Sequence, residues 1–359
     1  MDFDLDETGA ELRTLASGVL AREATQARLE AHEKHGGGDR PYDAETWKAM
    51  ARAGLIGACL PEDAGGAGLG AVGMAVVLRE VGARVAPVPA LSGLVTALTI
   101  AAHGTAAQKE ALGPLAEGED VLAFAVREPG GDLTGPPDAT ARDGRVTGRL
   151  SMVSYASEAS AILVPAQVEG AGTALFLVRP RDAGLQAVPT ATGESCSVVT
   201  LDRAPGEMVG EPDGRAWEAL RLHAVAGITA TASGVLAGAL ALTTEYIRTR
   251  RQFGRALAEF QAVSMQIADV YVAARALDVA MWSGVWRLSE GLPAEEDLAV
   301  AAYNACGGAL RALYTCQHLH GGIGLDVTYP LHRYFAWGKQ AAHLLGGERA
   351  QLDLIGALV

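Results

Sequence analysis

The stretch from Arg250 to Gln261 carries the side chains with the most evident chemistry in the chain. It reads Arg-Arg-Gln-Phe-Gly-Arg-Ala-Leu-Ala-Glu-Phe-Gln. An arginine guanidinium presents a fork of donors that matches phosphate oxygens, and Gln252 and Phe253 could hold a heterocycle by hydrogen bonding and stacking. A solvated helix end explains the same residues, because arginines favour the negative end of the helix dipole. The stretch alone leaves both interpretations open.

Two helical patterns flank this stretch. Apolar residues recur at three- and four-residue spacing from Val225 to Tyr246, and the same rhythm runs from Phe260 to Met281. Gly254 stands where a tight reversal needs a residue without Cβ. We therefore predict two antiparallel helices, joined by a loop that presents guanidinium, amide and aromatic groups together.

The remaining patterns predict a mainly α protein with a central β domain. Short apolar runs bounded by glycine, proline and aspartate occupy residues 121–126, 161–164, 174–178 and 197–201. Their spacing favours a small barrel or sandwich of antiparallel sheets. Helical patterns precede and follow them. We predict an N-terminal helical domain over 1–118, a β domain over 119–212 and a C-terminal four-helix bundle over 213–359.

Composition restricts the class of partner and the location. The net charge of −13 argues against a nucleic-acid surface, which needs concentrated Lys and Arg. The four cysteines show no Cys-x-x-Cys pair, so we predict no metal site. The acidic N-terminus does not resemble a signal peptide. The apolar run from 225 to 242 is interrupted by Thr and Ser, so we interpret it as a buried helix and predict no membrane insertion and a cytoplasmic protein.

Three further motifs accompany the Arg250 stretch. A glycine-rich loop spans 60–69 as Leu-Pro-Glu-Asp-Ala-Gly-Gly-Ala-Gly-Leu, and residues 126–132 read Val-Arg-Glu-Pro-Gly-Gly-Asp. Residues 320–324 read His-Gly-Gly-Ile-Gly, followed by Tyr-Pro at 329–330. Together with Arg-x-x-Phe-Gly, these motifs resemble the acyl-CoA dehydrogenase family, in family order over almost the full length. The resemblance implies the family's order of domains: helical domain, β domain and helical bundle.

The resemblance also implies a chemistry and a set of residues. In the family, a carboxylate removes the α-proton of an acyl-CoA thioester while a hydride leaves the β-carbon for flavin N5. FAD is therefore the implied cofactor, an acyl-CoA the implied substrate, and an electron-transfer acceptor an implied partner. Arg250 would contact the FAD pyrophosphate, and the glycine loop would approach the nucleotide of a neighbouring subunit's cofactor. The cofactor-binding residues implied by position are Arg250, Gln252, Phe253, Gln261, His318, Gly321, Gly322, Gly324, Ser154 and Met152.

The chain departs from the family pattern at the flavin and at the base. Met152 replaces a tryptophan that shields the flavin ring, and Arg127 replaces a hydroxyl-bearing threonine. The usual place of the catalytic Glu reads Leu-Leu-Gly-Gly at 344–347, and the alternative place holds His223. Glu348 is the candidate catalytic residue, although a solvated glutamate or a charge at the start of a helix explains it as well.

These departures predict an incomplete subunit. The chain resembles small acyl-CoA dehydrogenase subunits of actinobacteria, which pair with a second, related chain and divide flavin and catalytic residues with it. We therefore predict an oligomer with a homologous subunit or with a second copy. Two alternatives stay open: a non-redox enzyme on the same fold, such as a lyase, dehydratase or cyclase, and a catalytically silent scaffold subunit.

Overall fold

Helices form the N-terminal part of the protein. The computed structural model describes residues 5–34, 41–128, 133 and 135–358. The first helices are α1 (Glu7–Glu23), α2 (Gln26–Lys34), α3 (Ala44–Arg52), α4 (Gly70–Arg84), α5 (Ala90–His103), α6 (Ala106–Glu110) and α7 (Gly113–Ala116). Helix α3 begins where the Asp43 carboxylate accepts a hydrogen bond from the Thr46 amide, and α6 begins with a capping box between Thr105 and Gln108. The predicted helical character of this part is confirmed.

Strands form the middle of the chain. They are β1 (Leu122–Phe124), β2 (Thr140–Arg142), β3 (Arg145–Ser154), β4 (Ala161–Val168), β5 (Thr173–Val178), β6 (Gly184–Ala187) and β7 (Cys196–Val209). Strand β4 pairs with β5 on one edge and with β1 and β2 on the other, and β2, β3, β7 and β5 complete a ring. The sheet therefore closes into the predicted small barrel.

The barrel is not wholly antiparallel, in contrast to the prediction from sequence. The β1–β4 and β2–β4 pairings are parallel, and the other pairings of this sheet are antiparallel. Other segments of chain separate β1 and β2 from β4, so neither strand is joined to β4 by a tight hairpin, which would impose an antiparallel pair. Apolar runs indicate strands, but they do not reveal which edges pair.

Helices form the rest of the described chain. They are α8 (Arg215–Thr249), α9 (Gln261–Ser289), α10 (Glu295–Asn304), α11 (Leu310–His320), α12 (Leu331–Leu344) and α13 (Gly347–Leu358). Strands β8 (Arg251–Gln252) and β9 (Arg255–Ala256) form a hairpin between α8 and α9, and a π-helical segment, Ala305–Ala309, joins α10 to α11. Helix α12 is separated from α13 at Gly346, whose φ of 85° interrupts the helix.

The chain divides into two compact units, each with its own interior. The described residues within Met1–Leu5, Leu78–Val85 and Ile228–Val359 form the bundle unit, and those within Asp6–Val77 and Ala86–Gly227 form the barrel unit. The interior of the barrel is apolar and includes Val146, Leu150 and Val199, all fully buried. The domain boundaries given by the sequence patterns stay a prediction.

Backbone contact without intervening side chains joins α4 to α8 in the bundle unit. A Cβ on Gly234 would lie 1.8 Å from the Arg79 carbonyl oxygen, and a Cβ on Gly82 would lie 2.1 Å from the Thr231 carbonyl oxygen. A side chain at either position would force the helices apart. Glycine is therefore required at this crossing, and the sequence pattern alone did not predict it.

Helix α8 is long and apolar enough to cross a membrane. About two thirds of its most apolar part, 67%, is buried inside the protein. Such burial is typical of the core helix of a packed bundle, since a membrane span would present an apolar surface outward.

Candidate functional site

The hairpin between α8 and α9 projects its side chains outward. Arg250 continues from α8, since its amide donates to the Tyr246 carbonyl at 2.8 Å. The two turn residues, Phe253 and Gly254, have φ angles of 49° and 82°. This pair of left-handed residues is the type I′ pattern that matches the twist of a hairpin. The predicted reversal at Gly254 is confirmed, and a bulky aromatic residue shares its unusual conformation.

Some side chains of the hairpin make contacts within the protein, and others are exposed. The Arg255 guanidinium lies 3.9 Å from the centre of the Phe260 ring, and Arg251 Nη2 donates weakly to the Gly254 carbonyl at 3.4 Å. Phe253 is 92% exposed. Arg250 is also exposed, and no ion pair joins its guanidinium to any residue that the structure describes. Arg250 and Phe253 therefore offer a charge and an aromatic face to another molecule.

The glycine loop follows α11. Gly321 ends the helix with a φ of 64°, and the loop continues as a short 3-10 turn over Gly321–Leu325. Gly324 is buried, and a Cβ there would lie 2.7 Å from the Gln317 carbonyl oxygen. A Cβ on Gly322 would meet no described atom within 4 Å. Backbone geometry explains two of these glycines, and the third leaves the loop backbone open to close approach by a ligand.

Three rings join the glycine loop to the end of α8. Tyr246 stacks on His320 with ring centroids 4.3 Å apart, and Tyr329 lies 5.2 Å from His320. The Tyr246 hydroxyl donates to the His320 carbonyl at 3.3 Å. The structure therefore brings the two predicted cofactor segments to the same end of the bundle unit. His318 and Gln261 are exposed at the ends of their helices.

Met152 and Ser154 lie in the barrel unit. Met152 has a φ of 56° and lies at an irregularity in the β3–β7 pairing, where the register shifts between Leu150 and Val153. A left-handed conformation is costly for a residue with a long side chain and often marks a functional site. Ser154 pairs with Cys196 on β7 and is half-buried. The bulge therefore changes the direction of the strand at the position where the resemblance implies a flavin-shielding residue.

Glu348 is engaged in the first turn of α13. Both carboxylate oxygens accept from Arg311 Nη1, at 3.0 and 3.1 Å. A Cβ on Gly307, in the π-helical segment, would lie 2.5 Å from Glu348 Oε1. Burial, with a smaller contribution from the Glu348 carboxylate, raises the pKa of the neighbouring Cys306 thiol to about 11. These contacts favour a structural role for Glu348, and its role as the base stays a prediction.

Two other motifs are only partly visible or have a structural explanation. Pro129, Gly130, Gly131 and Asp132 lie outside the described residues. The preceding Glu128 accepts hydrogen bonds from the amides of Asp138 and Ala139, at 2.8 and 2.7 Å. In the first glycine-rich loop, a Cβ on Gly66 would lie 2.1 Å from the Leu60 carbonyl oxygen. Backbone packing is sufficient to explain glycine there.

The four cysteines are buried, free thiols. Burial raises the pKa of Cys59 and of Cys196 to about 12, so both stay protonated at neutral pH. Within the described ranges, no group of three or more His, Cys, Asp or Glu residues could hold a metal ion.

His223 gives the barrel unit a pH dependence. Burial lowers its pKa from the ordinary 6.5 to about 4, with the Ala219 carbonyl opposing the shift and His103 adding slightly to it. The unfolded chain therefore binds the proton more readily, and stability falls as the pH drops below about 6.5. We expect a loss of about 2 kcal/mol between pH 7 and pH 5. Urea unfolding of wild type and of His223→Gln at both pH values measures this loss of stability. An equal loss of stability at pH 5 in the variant would contradict the assignment to His223.

Comparison with known proteins identifies the family. The C-terminal domain model of acyl-CoA dehydrogenases matches residues 221–359, and the N-terminal domain model matches residues 6–119. The chain is 38% identical to the acyl-CoA dehydrogenase FadE28 of Mycobacterium tuberculosis over 321 residues, which covers 87% of this chain and 91% of FadE28.

Solved structures agree with this match. The chain resembles the Tcur3481-Tcur3483 steroid ACAD G363A variant with a TM-score of 0.92 and 38% identity. The match covers 99% of this chain and 98% of that one. The chain also resembles the ChsE4-ChsE5 complex from Mycobacterium tuberculosis with the same TM-score and coverage and 32% identity. The fold predicted from the sequence thus agrees with the relatives, and the chain belongs to the acyl-CoA dehydrogenase family, whose cofactor is FAD.

Proposed function

We propose that the chain is one subunit of a heteromeric, FAD-dependent acyl-CoA dehydrogenase. The observation that carries this proposal is the joined pair of segments in the bundle unit, the Arg250 hairpin and the open glycine loop. An exposed guanidinium complements a pyrophosphate, and loop amides next to a residue without Cβ can donate to the nucleotide. The proposed contacts also include Gln252, Phe253, Gln261, His318, Gly321, Gly322 and Gly324 on this unit, and Met152 and Ser154 on the barrel unit.

The bound FAD supplies an acceptor for the hydride that leaves the β-carbon of the acyl-CoA. In this proposal, Arg250 holds the diphosphate and balances its negative charge. The Ser154 hydroxyl would donate a hydrogen bond to the flavin, and Met152 would offer it an apolar side chain. Each of these roles binds or orients the cofactor, and none of them requires a proton transfer by this chain.

A separate carboxylate must take the α-proton. A general base needs to reach the proton that it removes and to be free to accept it. Glu348 is the candidate in this chain, but Arg311 holds both of its oxygens. The proposal therefore assigns the base to the homologous partner subunit, so that neither chain alone completes the reaction.

The surface of α9 supports a partner of this kind. Met265, Val272, Val279 and Trp286 recur every seven residues and are 40 to 63% exposed. A seven-residue apolar repeat is the pattern by which one helix packs against another. The two solved relatives are named as pairs, Tcur3481-Tcur3483 and ChsE4-ChsE5. A homologous chain is therefore the proposed occupant, with a second copy of this chain as the alternative.

The substrate and the electron acceptor belong to the same proposal. Because a similar structure is named a steroid ACAD, a CoA ester of a steroid side chain is the first substrate to test. The reduced flavin must pass its electrons to an electron-transfer protein, and a cytoplasmic location fits such a partner.

The proposal is tested by purification of the chain alone and after co-expression with a homologous dehydrogenase subunit. We expect a yellow complex whose flavin absorbance near 450 nm falls when the acyl-CoA is added without an acceptor. A colourless complex that is nevertheless active on a thioester would favour the non-redox alternative. If the partner subunit alone is yellow and is bleached by the acyl-CoA as fully as the complex, this chain is a scaffold.

Glu348→Gln distinguishes a structural carboxylate from a catalytic one. The Arg311–Glu348 pair is partly exposed, so we expect a loss of stability below about 1 kcal/mol. Turnover of the complex should stay within about threefold, because in this proposal Glu348 takes no proton. Loss of a general base would instead lower kcat by about 100-fold or more. Steady-state kinetics of the complex measures this, with Arg311→Lys as the control that retains the charge pair.

A further inference from the structure

His320 is the centre of the aromatic contact described above, and it is buried with 3% of its surface exposed. Its Nδ1 lies 2.8 Å from the Cys316 carbonyl oxygen, and its Nε2 lies 3.2 Å from the Tyr329 hydroxyl. A carbonyl oxygen only accepts, so Nδ1 carries the proton, and Nε2 of the neutral ring accepts from Tyr329. Burial lowers the pKa of His320, which agrees with a neutral ring.

This hydrogen bond closes the loop on itself. His320 stands at the first end of the glycine loop and Tyr329 follows its other end, beyond the turn that finishes at Leu325. The other hydrogen bonds of the segment are local: the Asp326 amide donates to the Ile323 carbonyl at 3.2 Å and the Tyr329 amide to the Asp326 carbonyl at 3.0 Å. The Gln317 side chain donates to the Gly324 carbonyl at 3.5 Å. The His320–Tyr329 contact is the side-chain link that joins the residue before the loop to a residue beyond it.

Tyr246 carries the constraint to the hairpin. Its ring stacks on His320, its hydroxyl donates to the His320 carbonyl, and its own carbonyl accepts from the Arg250 amide. The Tyr246 side chain thus contacts His320, the residue before the glycine loop, while its backbone carbonyl holds Arg250, the residue before the hairpin. Stacked rings hold their partners in a fixed orientation as well as burying apolar surface.

We propose that Tyr246, His320 and Tyr329 are positioning residues that hold the glycine loop and Arg250 in register for one dinucleotide. The inference rests on the proposed function, because it assigns FAD to these two segments. A preorganised site binds more tightly, since the ordering of the loop is complete before the ligand arrives. The cluster therefore acts on FAD affinity without contact with the cofactor.

Tyr329→Phe is the decisive variant, because it removes one hydroxyl and retains the ring. In the co-purified complex stripped of flavin and titrated with FAD, we expect the dissociation constant to rise about three- to tenfold, as for loss of one buried hydrogen bond. Amide hydrogen exchange over 321–325 should quicken in the stripped complex, while exchange in α8 and α9 stays unchanged. Tyr314→Phe, at an exposed tyrosine that contacts Phe335, is the matched control and should behave as wild type.

His320 provides a test by conservative rescue. His320→Gln can place a side-chain oxygen near the Tyr329 hydroxyl, whereas His320→Ala cannot, so FAD should bind more tightly to the Gln variant than to the Ala variant. The positioning role is overturned, and the proposed function is left in place, if Tyr329→Phe shows wild-type FAD affinity and loop exchange while Arg250→Ala loses FAD affinity. A wild-type complex that binds no FAD would overturn the proposed function itself.

Discussion

Arg79→Ala is expected to lower the free energy of unfolding of the bundle unit by about 3 to 5 kcal/mol, as for a buried ion pair that loses one partner. Arg79 Nε and Nη2 donate to the two oxygens of Asp278, at 3.1 and 3.0 Å. The Ser233 hydroxyl also donates to Asp278, and the side chains of Arg79 and Asp278 are only 21% and 12% exposed. The variant leaves a mostly buried carboxylate with less compensation, because Arg275 Nη1 lies 3.6 Å away and is largely in solvent.

Two further variants isolate the cause of this loss. Arg349→Ala removes an arginine that is 95% exposed and 3.8 Å from Asp353 in the same unit, so urea unfolding should show a change below about 0.5 kcal/mol. The double variant Arg79→Met with Asp278→Leu removes both charges and should recover most of the stability. A small effect of Arg79→Ala, or a double variant less stable than the single one, would show that the ion pair is not what holds α4 to α9.

Arg250→Ala is expected to weaken FAD binding to the complex by about 10- to 150-fold, the range for charge-assisted hydrogen bonds to one guanidinium. The loss should appear as dissociation of flavin on dilution, and saturating FAD should restore activity. Arg250→Lys should fall between wild type and Ala, since an ammonium retains the charge without the fork of donors. Fluorescence titration with FAD measures all three dissociation constants.

Arg251→Ala is the matched control for this prediction. It removes the same charge one residue away, from a side chain that donates to the hairpin's own Gly254 carbonyl. FAD affinity should stay within about threefold of wild type, because exposed charges at a distance are screened by salt. Equal losses in both variants would mean that net charge, and not a specific contact of Arg250, attracts the cofactor.

The order of helical, β and helical segments could be predicted because periodicity is a local property. Apolar residues at three- and four-residue spacing indicate one buried helix face, whatever that face packs against. The left-handed turn at Gly254 likewise depends only on the few residues of the hairpin itself. The motif resemblance extended this to the family and to FAD, which the comparisons confirm. The parallel pairings of β4 escaped prediction because they depend on which distant strand edges meet.

The residue types of the candidate site could be predicted from the sequence, but the contacts that hold those residues in place could not. The arginine and glycine motifs could be found by their spacing, but nothing local shows that Tyr246 stacks on His320, 74 residues along the chain. The sequence likewise offered Glu348 as a carboxylate near the expected place, and only the fold shows it paired with Arg311.

The sequence by itself determined the types of segment, the family and the chemical groups offered to a cofactor, because these follow from short-range periodicity, turn sterics and motif spacing. Only the tertiary structure decided which groups are free and which are occupied. Arg79 meets Asp278 across 199 positions of sequence, and Gly234 contacts the backbone of a helix from the N-terminal part of the chain. Such contacts arise when distant segments are packed to the same density as any protein interior, and local spacing carries no record of them.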